Sequence, residues 1–217
     1  MQRYALMLTL LIPIFSLTMQ TANSREIEKA KVLILFGPPA SGKGTQAERL
    51  SKALHLPHIS TGDLFRENIK KNSALGIKAK SYIDAGKLVP DELVLEILFD
   101  RLAQSDAQSG FILDGVPRTL DQAEAIKSRL SDVGPVVVLN LVVSNETILK
   151  RALGRQRTDD SPEIVKQRLQ AYEKQTAPLI NFYKQQGVLI NIDGEKSPDQ
   201  VFGDILQELS ASGSPQE

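Results

Sequence analysis

Short, unbroken apolar runs alternate along the chain with longer stretches in which apolar residues recur every three or four positions. The runs fall at 32–36, 58–59, 110–114, 135–143 and 187–192. A strand with one wet face alternates apolar and polar side chains. These runs are apolar at nearly every position, as strands covered on both faces are. Between them, helical spacing predicts helices over 46–54, 64–71, 75–85, 89–104, 120–130 and 144–153, one from 161 continuing past Tyr172, and one over 197–209. The chemistry of the ends agrees. Asp63 is placed to cap the second helix, Gly86 to end the third, and Asp91 and Glu92 lie in the first turn of the fourth. Strands separated by helices imply βαβ units. The expected class is therefore α/β, a doubly wound five-stranded parallel sheet with helices on both faces, in one domain over 31–210 with a flexible polar tail at 211–217. Such a sheet binds ligands at the carboxyl ends of its strands.

The first run leads directly into Gly37-Pro38-Pro39-Ala40-Ser41-Gly42-Lys43-Gly44-Thr45, and a helix follows. Strand, glycine-bearing turn and helix with G-x-x-x-x-G-K spacing is a P-loop. Successive backbone N–H groups of the turn form an anion nest, and the helix adds free N–H groups and the positive end of its dipole. Ala40, Ser41, Gly42, Lys43, Gly44 and Thr45 are the candidate phosphate cradle, with Lys43 reaching the terminal phosphates as a point charge. The hydroxyl comes one residue later than in the common pattern, at Thr45 after Gly44. This points away from GTPases and generic ATPases.

Composition narrows the field further. Lys plus Arg and Asp plus Glu balance at 26 each across 217 residues, so no global field draws the chain to nucleic acid or a membrane. Anion binding must come from local clusters. Without cysteine there is no disulfide, thiolate zinc site or cysteine nucleophile. Residues 5–18 are almost wholly apolar, too short for a comfortable membrane span, and Ala22-Asn23-Ser24 supplies small residues at a cleavage position. Residues 1–24 thus read as a signal-peptide-like leader, with no stable membrane association once it is removed.

Asp114 ends the buried run 110–114, beside the expected phosphate cradle. One carboxylate there is enough to hold Mg²⁺, directly or through water, because this ion keeps several waters. Downstream, Arg151 and Arg155 share a helix face, Arg157 sits in a short polar turn, and Arg168 lies on the next, antiparallel helix. Four guanidinium groups around a hairpin can converge on one anionic group.

Three further segments carry a resemblance. They are Ser60-Thr61-Gly62-Asp63-Leu64-Phe65-Arg66, Asp84-Ala85-Gly86-Lys87-Leu88-Val89, and Asp114-Gly115-Val116-Pro117-Arg118-Thr119 with Gln122 beyond. With the P-loop they occur in the order found in the adenylate kinase family, which the chain resembles from Val32 to about Leu209. The resemblance implies the reaction Mg·ATP + AMP ⇌ 2 ADP, with ATP, AMP and ADP as partners and no structural zinc. It implies a small helical insert at 60–89 that binds the nucleoside monophosphate. Thr61 and Val89 would contact adenine, Arg66 and Arg118 the phosphate, Gln122 the adenine edge, and Gly115 would let the backbone approach. On the donor side, Arg151 would pack near the ATP base and Lys196 would meet it through its backbone. Arg155, Arg157 and Arg168 would stabilise charge in transfer, Arg157 and Arg168 from the AMP side. The lid, 154–160, would be of the short form. The family's enzymes imply a monomer in the cytoplasm; the leader makes export the competing location. A UMP/CMP-type kinase and a nucleotide-binding protein without transfer activity are the alternatives.

Three positions depart from the family pattern, one of them Pro38, which replaces a small residue. Val116 stands where an aromatic is usual. Ala40 stands where glycine is usual, and it would be strained by about 1 kcal/mol if its φ were positive. No general base is required, because the AMP phosphate is already an anionic nucleophile. His55 and His58, the only histidines, are expected to be structural.

Overall fold

The computed structural model describes residues 32–130, 133–154 and 161–211. Five parallel strands lie in the order β2-β3-β1-β4-β5, with β1 at Val32–Phe36, β2 at His58–Ser60, β3 at Phe111–Asp114, β4 at Val136–Val142 and β5 at Leu189–Asp193. The helices are α1 (Lys43–Leu54), α2 (Thr61–Lys70), α3 (Ala74–Asp84), α4 (Asp91–Leu102), α5 (Leu120–Arg129), α6 (Asn145–Gly154), α7 (Pro162–Ala171), α8 (Leu179–Gln185) and α9 (Pro198–Ala211). This is the expected doubly wound fold.

The unbroken apolar runs follow from two separate cores. Val32, Ile34, Phe36, Phe111, Leu113 and Val138 point to one face, where α4, α5 and α8 supply Ile97, Leu98, Ile126 and Tyr183. Leu33, Leu35, Ile112, Leu139, Leu141 and Ile192 point to the other, against Leu50 of α1 and Val201, Ile205 and Leu209 of α9. Alternate residues of one strand thus serve opposite layers, so every position must be apolar.

Two local expectations are corrected. Ser60, not Asp63, caps α2: its Oγ accepts from the Asp63 N–H, and the helix starts at Thr61. The long helix expected past Tyr172 is interrupted by a π-helical turn at Tyr172–Thr176, in which the Ala177 N–H reaches back five residues to the Tyr172 carbonyl at 2.8 Å. Pro178 accounts for the break. It has no N–H, and its ring would collide with the carbonyl four residues earlier in a regular helix. Among the described residues no helix is long and apolar enough to cross a membrane. The leader 1–24 and most of the lid, 155–160, lie outside the described residues.

Candidate active site

Phe36 ends β1 and Asp114 ends β3, so turn and carboxylate emerge side by side at the carboxyl edge of the sheet, where Leu35 pairs with Asp114. Gly37 opens the turn at φ 135, and a Cβ there would lie 2.8 Å from the Leu141 carbonyl oxygen. Only glycine fits. Gly42 follows at φ 101 and starts α1. Lys43 lays its ammonium across the loop, donating to the carbonyls of Gly37 (2.8 Å) and Pro38 (2.7 Å).

Ala40 has φ 60, the left-handed conformation that strains an alanine. Its methyl group is buried and clusters with Ile148 and Ala152 of α6 and Val165 of α7. Burying a methyl group contributes about 0.8 kcal/mol, close to the cost of the strain. The departure from glycine is therefore nearly neutral, and it packs the P-loop onto the two helices that flank the lid segment. Val116 is also packed, at 1% exposure within the larger core, and it borders the cleft described below.

A cleft of about 730 Å³ opens over these strand ends. Every predicted site residue among those described lines it. Ala40, Ser41, Gly42, Lys43, Gly44 and Thr45 line it, as do Arg151 and Lys196. Thr61, Arg66, Val89, Gly115, Arg118 and Gln122 line it as well, together with Asp114 and Arg168. Arg155 and Arg157 lie outside the described residues. Arg151 links two loops, donating to the carbonyls of Ser41 (3.4 Å) and Glu195 (3.5 Å). The Lys196 ammonium turns away to Asp204 at 2.7 Å, which leaves its backbone to the cleft.

Burial alone would raise the pKa of Asp114. The His58 imidazole, then the nearby Lys43 and Arg118 charges, outweigh it and hold the carboxyl below its usual range. Arg118 faces into the cleft. Loss of water around its guanidinium lowers its pKa, Asp114 opposes this, and the like charges of Arg168 and Arg66 add to it. Three arginines therefore converge on one space. An anion between them relieves their mutual repulsion.

His58, expected to be structural, is a residue that lies against a predicted site residue. It lines the cleft, with its Nε2 3.4 Å from Asp114 Oδ2. Thr176 is another: the π turn carries its hydroxyl to the Arg118 carbonyl at 2.9 Å. The pairing Ser60↔Asp114 of β2 and β3 would have signalled the first, since it sets His58 two residues from that level. No sequence signal points to the second.

The donor set fits Mg²⁺ held with a nucleotide. Asp114 directs a carboxylate oxygen at the P-loop, 3.5 Å from where a Cβ on Gly44 would sit. Among the described residues no group of three or more side chains is arranged as a metal cage. One carboxylate, the Thr45 hydroxyl, phosphates and water suffice for this ion.

A family profile described as Adenylate kinase matches residues 35–188. Proteins named Adenylate kinase from Desulforudis audaxviator and Methanocella arvoryzae are 44% and 43% identical, over 83% and 79% of this chain and 98% and 95% of their own. Adenylate kinase 1 of a Nostoc species is 44% identical over 82% of the chain and 98% of its own length. The Nostoc alignment spans 181 residues and the Desulforudis alignment 213, for nearly the same share of this chain. The Desulforudis protein therefore carries residues with no counterpart here.

Proposed function

The chain belongs to the adenylate kinase family of nucleoside monophosphate kinases, and from that premise we propose how its cleft passes the terminal phosphoryl group of ATP to AMP. ATP lies over the P-loop, its phosphates in the nest of 40–45 with Lys43, and its base between Arg151 and the backbone of Lys196. AMP lies over the insert 60–89. Its phosphate meets Arg66 and Arg118, and its base meets Thr61, Val89 and Gln122. The observation that supports this reading is that the P-loop, Asp114 and a cluster of arginines around Arg118 all line one cleft. A single-nucleotide site has no use for a second cationic cluster beside the P-loop.

The chemistry asks for positioning and charge stabilisation more than for proton transfer. The AMP phosphate oxygen attacks in line. Lys43 and the arginines, with Arg155, Arg157 and Arg168 from the lid side, stabilise the negative charge spread over the transferring group. Mg²⁺, when bound with ATP through Asp114 and water, neutralises phosphate charge. The short lid at 154–160 excludes water and so prevents hydrolysis of ATP. The near-gapless match to the Nostoc protein supports that short form.

The catalytic unit is a monomer, because one chain supplies both the P-loop and the arginine cluster. It works in the cytoplasm, where its substrates are. Mass spectrometry of the mature N-terminus decides between this and export: an intact Met1 supports the first, a start near residue 25 the second. A substrate panel tests the acceptor. Residues 25–217 with Mg·ATP should give the highest kcat/KM with AMP. A higher value with UMP or CMP assigns the acceptor site to pyrimidines, and tight ATP binding without turnover makes the protein a binder only.

A further inference from the structure

The orientation of the Gln122 carboxamide follows from what its neighbours can do. The main-chain N–H of Arg118 only donates, and it lies 2.7 Å from Gln122 Oε1. The Asp91 carboxylate accepts, and its Oδ1 lies 2.6 Å from Gln122 Nε2. Exchanging oxygen and nitrogen would set N–H against N–H at one end and lone pair against carboxylate at the other. Asp91 is held in turn: its Oδ2 accepts from the Thr119 hydroxyl at 2.6 Å, and that hydroxyl oxygen caps α5 by accepting from the Gln122 N–H at 3.2 Å. Gln122 is 1% exposed and lines the cleft. A flip there would leave buried polar groups unpaired.

A carboxamide has two N–H groups and two acceptor lone pairs. One of each is used internally, so each end keeps one. A 6-aminopurine presents an N–H at position 6 beside an acceptor at N1. A 6-oxopurine presents an acceptor at position 6 beside an N–H at N1. A carboxamide free to turn over pairs with either, whereas a locked one, for a given placement of the base, pairs with only one. We propose that Asp91 is a specificity-determining positioning residue, which locks Gln122 so that the acceptor site takes a 6-aminopurine monophosphate and rejects its 6-oxo counterpart. Asp91 acts through Gln122, and the inference rests on the reading above that Gln122 faces the acceptor base.

The test is the ratio of kcat/KM for AMP to that for IMP, measured for the unaltered enzyme, Asp91→Ala, Asp91→Asn and Gln122→Ala, with the KM for ATP alongside. The unaltered enzyme should favour AMP. Asp91→Ala should lower the ratio at least about tenfold, with the KM for ATP within about twofold. Asp91→Asn, whose amide oxygen can still face Gln122, should fall between. A merely structural role for Asp91 predicts parallel losses with both acceptors and an unchanged ratio, and that result overturns the inference. If Asp91→Ala does not fold, an unchanged ratio in Asp91→Asn overturns it equally. An unaltered enzyme without preference, or a Gln122→Ala enzyme that keeps it, instead overturns the reading of Gln122. A preference lost in Gln122→Ala but kept in Asp91→Ala overturns the role of Asp91 alone.

Discussion

At Ala40 and Glu195 a single side chain trades one cost against another. Positive φ strains Ala40 and its methyl group relieves the strain by packing on Ile148, Ala152 and Val165. Ala40→Gly removes both contributions, so chemical denaturation should find stability changed by less than about 1 kcal/mol. A larger loss would mean that the methyl packing dominates. Glu195 accepts from the Ser144 N–H at 2.6 Å and the Thr147 hydroxyl at 2.7 Å, at the start of α6. The Ser144 contacts, then Thr147, and the Arg151 charge to a lesser degree, bring its pKa from 4.5 to about 2. The folded state thus binds fewer protons than the unfolded state between these values. The stabilisation is complete above pH 4.5 and fades as pH falls toward 2. Glu195→Gln should flatten that part of the pH–stability curve, and an unchanged curve would remove Glu195 from the account. Gly37 and Gly42 were legible from spacing alone. The sign of φ at Ala40 was not, because it depends on how the loop meets α6 and α7.

Strands and helices were readable where burial dictates the residue at every position. The runs 32–36 and 111–113 are filled by a two-sided core. The break after Ala171 was not readable, since the helical spacing continues through it and only Pro178 hints at trouble. Through it the π turn aims the Thr176 hydroxyl at the Arg118 carbonyl, 2.9 Å away. Thr176→Val keeps the shape but leaves a carbonyl unpaired, at a cost of about 1–3 kcal/mol. It should raise the KM for AMP more than that for ATP, and Thr176→Ser should restore both. Equal changes in the two KM values would make the turn a structural joint only. Asp91, Thr119 and Gln122 belong to the same class: the partners lie on α4 and at the start of α5, and no local motif joins them.

For the whole molecule, balanced net charge conceals a local excess. The charges of Arg66 and Arg168 both act on Arg118 while the chain as a whole is neutral. Near-contiguous motifs made most of the cleft legible. Its cross-links were not, because His58–Asp114 and Thr176–Arg118 join residues far apart in sequence. The central claim is that one cleft holds donor and acceptor together and keeps water out. The most direct measurement follows the label from ATP carrying ³²P in its terminal phosphate, with and without AMP. The account predicts label in newly formed ADP only when AMP is present, with little inorganic phosphate in either case. Label released as inorganic phosphate at the same rate without AMP would contradict it.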